Sequence, residues 1–406
     1  MKKSPITTDT SRRRFLEQAA GVLATTAGAT ILGPTWSWAA EPIRVGIATD
    51  LTGPIGVEGK VNARIAKLFA QNVNAQGGLL GRPIQLHIVD TASTPSVGVK
   101  KASELIRRYN VDVVLGGITS AMRNALKGPI LGRGGSLYIY PQLYEGQECT
   151  NYLYCTGPVP AQQIDPLIPW LTKNVGTKFW LPSANYVWPH VLNAYTKPVI
   201  EANGGEVLGE EYFPLDQTDY GALVQKIMNS DTQIVFTTII PPGIQAFLKQ
   251  LYNAGFNKRG GRVVCVYFDD NSSSLVPNYI LEGMVSSLDY FPTLDDPFDK
   301  QMRAEYNKMF PDAKVGVGGG AAVTGMYRGL LLWAEAVKQA KSVKRDPVAE
   351  ALDHAKIAQG PGGPAEMVPG ERHCRMNMYI GVADKQGVFE VVEKSDGLVD
   401  PKECTS

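Results

Sequence analysis

Histidine is scarce in this chain. Four stand among 406 residues, at positions 87, 190, 354 and 373, far apart and in unlike surroundings. No H-E-x-x-H, no paired C-x-x-C and no G-x-S-x-G occurs, which removes the usual zinc hydrolases and the serine nucleophile of the α/β-hydrolases. Glu371-Arg-His-Cys374 sets a histidine beside a cysteine, but adjacent side chains point apart and do not converge on a substrate or a metal. Gly316-Val-Gly-Gly-Gly320 lacks the Lys-Ser/Thr that a phosphate loop needs, so close helix packing is the expected use of its glycines. No catalytic residue, metal or cofactor is expected.

Excess charge is missing too. The formal net charge is +1, with 19% charged and 44% hydrophobic residues, the composition of an ordinary globular chain long enough for two cores. Residues 1–39 carry five of the basic residues and two of the acidic ones. The remainder has 35 basic against 37 acidic residues, a net charge of −2. That balance gives no electrostatic case for nucleic acid or an anionic membrane surface.

Long apolar runs are absent as well. Ser11-Arg-Arg-Arg-Phe-Leu16 is a twin-arginine signature, followed by the uncharged stretch Ala19–Gly33 and the small-residue pattern Ser37-Trp-Ala39. The stretch is shorter than the ~20 apolar residues that cross a bilayer. Residues 1–39 are therefore expected to be a Tat signal peptide cleaved near Ala39 or Ala40, leaving a periplasmic chain with no direct membrane insertion. Export permits disulfides among the five cysteines. Two pairings are open: Cys149 with Cys155, closing a small loop, and Cys374 with Cys404, tying down the tail. Cys265, inside an apolar run, reads as a buried free thiol.

After the leader, short Val/Ile-rich strands alternate with helical segments. Ile43–Ala48, Ile84–Val89, Val111–Leu115 and Leu137–Tyr140 read as strands, with helices over Val61–Ala75, Val99–Tyr109 and Ala121–Leu131 between them. Continuous apolar strands indicate parallel sheets covered on both faces. Past Pro158-Val-Pro160 the pattern restarts, with strands at Phe179–Leu181, Val207–Tyr212, Ile234–Thr237 and Val263–Tyr267. The expected fold class is α/β, two doubly wound Rossmann-like lobes joined by a hinge that the chain crosses several times. An eight-unit barrel is the competing arrangement. The first lobe is assigned 40–158, the second 159–288, a return to the first 289–365, and a C-terminal hairpin and tail packing on the second lobe or hinge 366–406.

Open α/β sheets bind ligands at the C-terminal ends of their strands. Gly116-Gly-Ile-Thr-Ser120, Tyr140–Glu145 and Ser183-Ala-Asn-Tyr-Val-Trp-Pro189 each follow a strand. Thr119 and Ser120 are either ligand contacts or a helix N-cap alone. Asp269 and Asp270 follow another strand, and either anchor an ammonium group or cap a turn.

At these loops the chain resembles the type I periplasmic solute-binding proteins of ABC importers, in the urea and short-chain amide receptor branch, which is related to the branched-chain amino acid receptors. Asp50-Leu-Thr-Gly-Pro54, Asn74-Ala-Gln-Gly-Gly-Leu-Leu-Gly81, Gly117-Ile-Thr-Ser120, Tyr140-Pro-Gln-Leu-Tyr-Glu-Gly-Gln-Glu-Cys149, Asn185-Tyr-Val-Trp-Pro189 and Gly360-Pro-Gly-Gly-Pro364 carry the resemblance. It implies that Thr119 and Ser120 bond the ligand's polar head. It implies that Tyr140, Gln142, Tyr144 and Glu145 line one wall, and Tyr186 and Trp188 the other, with Asp269 a further ligand contact. The chain departs from similar urea receptors at Ile239-Ile-Pro-Pro-Gly243, where they carry a polar loop, and at Ile118, where some relatives carry an aromatic residue. Both departures make the pocket more apolar or differently shaped.

The expected function is capture of a small polar solute (a short-chain amide, urea or a related compound) between the lobes and delivery to ABC transporter permease subunits. The alternatives are a receptor for branched-chain or other neutral amino acids, an amide-sensing regulator, against which the export signal speaks, and an exported hydrolase.

Overall fold

The computed structural model describes residues 41–133, 135–313, 316–317 and 323–404. The expected leader with its cleavage point, and the glycine-rich Gly318–Ala322, lie outside the described residues. Among the described residues, fifteen strands run in chain order. The first group is β1 (Ile43–Thr49), β2 (Ile84–Asp90), β3 (Val113–Gly116), β4 (Leu137–Tyr140) and β5 (Leu153–Cys155). Next come β6 (Lys178–Ala184), β7 (Glu206–Phe213), β8 (Ile234–Phe236), β9 (Arg262–Val264) and β10 (Val285–Leu288). Then follow β11 (Lys356–Ile357), β12 (Ala365–Met367), β13 (Cys374–Met376), β14 (Tyr379–Ala383) and β15 (Phe389–Lys394).

The first sheet has the order β2-β1-β3-β4-β5, all parallel. Alternation of side chains explains its burial. Val113, Leu115, Leu137 and Ile139 pack to one side with Ile65, Phe69 and Trp333, while Val114, Tyr138 and Tyr140 pack to the other with Leu105, Met122 and Leu126. Helices Pro297–Met309 and Thr324–Ala340, late in the chain, thus return to the first sheet's core.

The second sheet has the order β15-β14-β10-β9-β8-β6-β7. Its strands β6 to β10 repeat the connectivity of the first sheet, and β14–β15 add an antiparallel hairpin on β10. Strand β10 is absent from the sequence reading because its centre is Ser286-Ser287. Both serines are fully buried, and their hydroxyls donate to the carbonyls of Cys265 and Gln163 at 3.0 Å each. The two open sheets exclude a barrel.

The expected disulfides need correction. The bond present is Cys149–Cys404, while Cys155, Cys265 and Cys374 are buried free thiols. Cys155 ends β5 and Cys374 begins β13, and both face apolar cores, where no second cysteine meets them. The tail turns back along β13 through the Met376–Val399 bridge, and the Glu403 carboxylate accepts from the Gln147 backbone N–H. That path sets Cys404 beside Cys149, with Cα atoms 5.6 Å apart.

The chain passes between the sheets after β5, after β10 and before β14. One buried ion pair joins the first two passages and reaches the third through the Pro361–Gly362 turn. Arg328 donates to Asp289 Oδ2 at 2.6 Å, to the Thr156 carbonyl at 2.9 Å and to the Pro361 carbonyl at 3.1 Å. Thr324 also donates to Asp289, and the Gly362 carbonyl accepts from Asn377 and Tyr379. Removing one partner of such a pair strands a buried charge. Arg328→Met is expected to cost about 3–5 kcal/mol in urea unfolding, and Arg328→Met with Asp289→Leu to recover most of it. A single-variant loss under about 1 kcal/mol would contradict this account.

Candidate ligand-binding site

Both sheets change winding direction once, between β1 and β3 and between β6 and β8. The loops leaving those strands converge on one cavity of about 140 Å³. For scale, an apolar cavity of roughly 150 Å³ holds a benzene-sized molecule.

The first sheet supplies Thr119 and Ser120 through a glycine turn. Gly116 and Gly117 have φ of +133° and +78°, and a Cβ on Gly116 would lie 1.9 Å from the Ala48 carbonyl oxygen. Only glycine lets β3 pass β1 and turn so tightly. Thr119 caps helix Ser120–Lys127, its Oγ accepting from the Met122 N–H at 3.2 Å. The cap and the cavity position are combined in one residue. Ser120 is buried, and its hydroxyl donates to Glu145 Oε2 at 2.6 Å.

Tyr140 ends β4, and Gln142 and Leu143 follow it along the same wall. The Tyr140 hydroxyl donates to the Ile118 carbonyl at 2.7 Å, so its ring edge is fixed. Opposite stand Tyr186 and Trp188 after β6, Ile240 and Pro241 after β8, and Tyr267, Asp269 and Ser272 after β9. Gln142 Nε2 and Trp188 Nε1 are buried without a hydrogen-bond partner among the described residues. An unpaired buried donor costs about 1–3 kcal/mol, a cost that a ligand oxygen or a water relieves.

Tyr144 and Glu145 do not line the cavity. Tyr144 is buried behind Tyr140, edge to face at 5.3 Å, and its hydroxyl meets His373 Nε2. Burial lowers the His373 pKa to about 4. Glu145 sits behind Ser120 and pairs with Arg123 at 2.8 Å; Arg123 also pairs with Glu148 at 3.1 Å. The guanidinium lies over the Tyr140 and Tyr144 rings, 5.0 and 4.6 Å from their centroids. Strand alternation ends at Tyr140, so spacing alone does not say which later residues of the motif face inward.

Sequence reasoning missed Glu58 and Tyr267. Glu58 lies in the first turn of the helix after β1, at the winding switch where a ligand is expected. Tyr267 is read as strand, but β9 ends at Val264, and the Tyr267 hydroxyl donates to the Ile239 carbonyl at 2.6 Å.

The cavity wall carries two carboxyl groups, Glu58 and Asp269, and no basic side chain among the described residues. Asp269 caps a short helix, its Oδ1 accepting from the Ser272 N–H at 2.8 Å and the Ser272 hydroxyl at 2.9 Å. Burial outweighs those bonds and lifts its pKa to about 7; burial also raises that of Glu58. Among the described residues there is no group of three or more metal-ligating acidic, His or Cys side chains.

The Asp269 shift has a definite sign. The folded state holds a proton that an unfolded Asp, with a pKa near ~3.9, releases. Its stabilising contribution is complete below about pH 4 and is lost as pH rises through about 7. Asp269→Asn, which keeps a cap acceptor, is expected to flatten the fall in Tm between pH 4 and 7 relative to the parent. Parallel curves for the two proteins would refute the assignment.

The sequence matches the periplasmic binding protein domain family over residues 43–406. Leu/Ile/Val-binding protein homolog 6 of Brucella suis biovar 1 is 23% identical over 379 residues, 90% of this chain and 91% of that protein. Leu/Ile/Val-binding protein BraC3 of Rhizobium johnstonii is 24% identical over 221 residues; the match covers 53% of this chain, and the chain spans 59% of that relative's length. A solute-binding protein of an ABC transporter from Rhodopseudomonas palustris BisB5, solved with 3,4-dihydroxybenzoic acid, has a TM-score of 0.78 at 24% identity, covering 89% of this chain and 99% of that one. Streptococcus pneumoniae LivJ, solved with isoleucine, gives 0.76 at 16% identity, covering 89% and 100%. These likenesses establish the type I fold, and the chain belongs to the periplasmic binding protein domain family.

Proposed function

We propose that this protein is the exported binding component of an ABC importer, and that it captures a small neutral solute bearing N–H groups for delivery to permease subunits. The carrying observation is the cavity's polarity: two carboxyls, the hydroxyls of Thr119, Ser120 and Ser272, and no basic side chain among the described residues, between aromatic and aliphatic walls. Such walls favour a ligand with N–H donors and disfavour an anion. Thr119, Ser120, Tyr140, Gln142, Tyr186, Trp188 and Asp269 are proposed to contact it. A volume of about 140 Å³ favours a molecule with an apolar part over urea alone. The short-chain amides are the best-matched class. Binding without turnover suffices, since a ligand that prefers the closed arrangement shifts the population toward it.

A neutral amino acid is the second reading, favoured by Asp269, whose carboxyl can meet an ammonium group. The relatives named for Leu, Ile and Val lend it weight. Calorimetry at pH 6.5 with isobutyramide, butyramide, leucine and benzoate separates the two. An amide is expected to bind with the same apparent enthalpy in buffers of different ionisation enthalpy. Leucine, if bound through Asp269, draws the proton off that group and releases it to the buffer. Preferential binding of benzoate would overturn the proposal.

A further inference from the structure

Ser120 is a hydroxyl whose proton is already committed. A hydroxyl has one hydrogen to donate and two lone pairs to offer. The hydrogen of Ser120 goes to Glu145 Oε2 at 2.6 Å, between two residues that are 5% and 6% exposed. Glu145 cannot turn away, because Arg123 holds its other oxygen at 2.8 Å and is itself held by Glu148 at 3.1 Å. Inside so buried a cluster, a charge-assisted bond is stronger than a neutral one and exchanging it for a ligand contact is unfavourable. Ser120 can therefore offer the cavity lone pairs only. Its neighbour is the reverse: the Thr119 oxygen accepts from the Met122 N–H, leaving its hydroxyl hydrogen for the ligand.

We infer that Glu145 is the residue that sets ligand class: by holding the Ser120 proton away from the cavity, it makes the Thr119–Ser120 edge one donor beside one acceptor, the complement of a primary carboxamide. An amide oxygen takes the Thr119 hydrogen while its N–H gives to Ser120 Oγ. A carboxylate has acceptors at both positions and meets the Ser120 lone pairs with its own. Sites built to pair an N–H or O–H reject analogues that lack it far more strongly than apolar pockets reject a change of size. Glu145 is a positioning residue, acting through Ser120. This inference rests on the receptor reading above and narrows its substrate.

Matched pairs test it: isobutyramide with isobutyrate, and benzamide with benzoate, titrated at pH 7.5, where both acids are ionised. The parent protein is expected to prefer the amide of each pair by at least tenfold. In Glu145→Gln the new amide group keeps an oxygen for Arg123 and turns its NH2 to Ser120, whose hydroxyl is then free to donate. The preference is expected to fall at least fivefold, by gain of acid binding as well as loss of amide binding. Glu145→Asp restores part of it. Ser120→Ala, which leaves the Arg123 ion pairs in place, lowers the preference by removing both the acceptor for the amide N–H and the lone pairs that oppose a carboxylate. A purely structural role for Glu145 would weaken both members of a pair equally and leave the ratio unchanged, which overturns the inference. A parent protein that prefers the acids overturns it while leaving a binding function intact. Binding of neither member of either pair defeats the amide reading itself.

Discussion

The Arg328–Asp289 pair is the contact on which the rest of the architecture hangs. A cavity with walls from two sheets exists only while the segments between them hold their C-terminal edges face to face. The arginine reaches a carbonyl after β5, a carboxylate after β10 and the Pro361 carbonyl before β12, next to the Gly362 carbonyl that Asn377 and Tyr379 bond at the entry to β14. One guanidinium thus fastens two passages directly and the third through its neighbour. A buried ion pair adds little net stability over an apolar pair of the same volume. Its worth here is geometric, because planar, directional donors fix three backbone segments that apolar packing would let slide.

The same physics recurs at the first wall. Arg123 is cationic and close to the cavity, yet it does not line it, since Glu145, Glu148 and two tyrosine rings already occupy it. The protein thus keeps a positive charge behind the wall and hydroxyls in front. What faces the cavity is the orientation of a proton instead of a full charge. A neutral solute needs that arrangement: an exposed guanidinium would favour anions, and an unpaired one would be costly to bury.

Much of the frame is legible in the sequence because it is local. Val113-Val-Leu115 and Leu137-Tyr-Ile139 are apolar on both faces, and only a covered parallel strand uses such runs. The loops after them inherit their place from topology, which is why Thr119, Ser120 and Tyr140 are found by reading along the chain. The parts that escape are those decided at a distance. Tyr144 faces His373, 229 residues away; Cys149 meets Cys404, 255 residues away; and β10 hides its serines by bonding Cys265 and Gln163. No periodicity records such partners.

The two walls build their polarity differently, and the difference has consequences for how such a site changes. Asp269 is oriented by Ser272, three residues on, so the second wall's acceptor is a self-contained turn. Ser120 is oriented by Glu145, which depends on Arg123, which depends on Glu148. A substitution at the second wall alters one contact. A substitution in the first wall's network redirects a proton and leaves a buried charge to be satisfied, so its members are coupled and their effects will not add. If the first wall sets ligand class as proposed, that class is held by the wall that is hardest to alter one residue at a time. The cavity's aliphatic surface comes from positions such as Ile118 and Ile240, where exchange of one aliphatic side chain for another is tolerated.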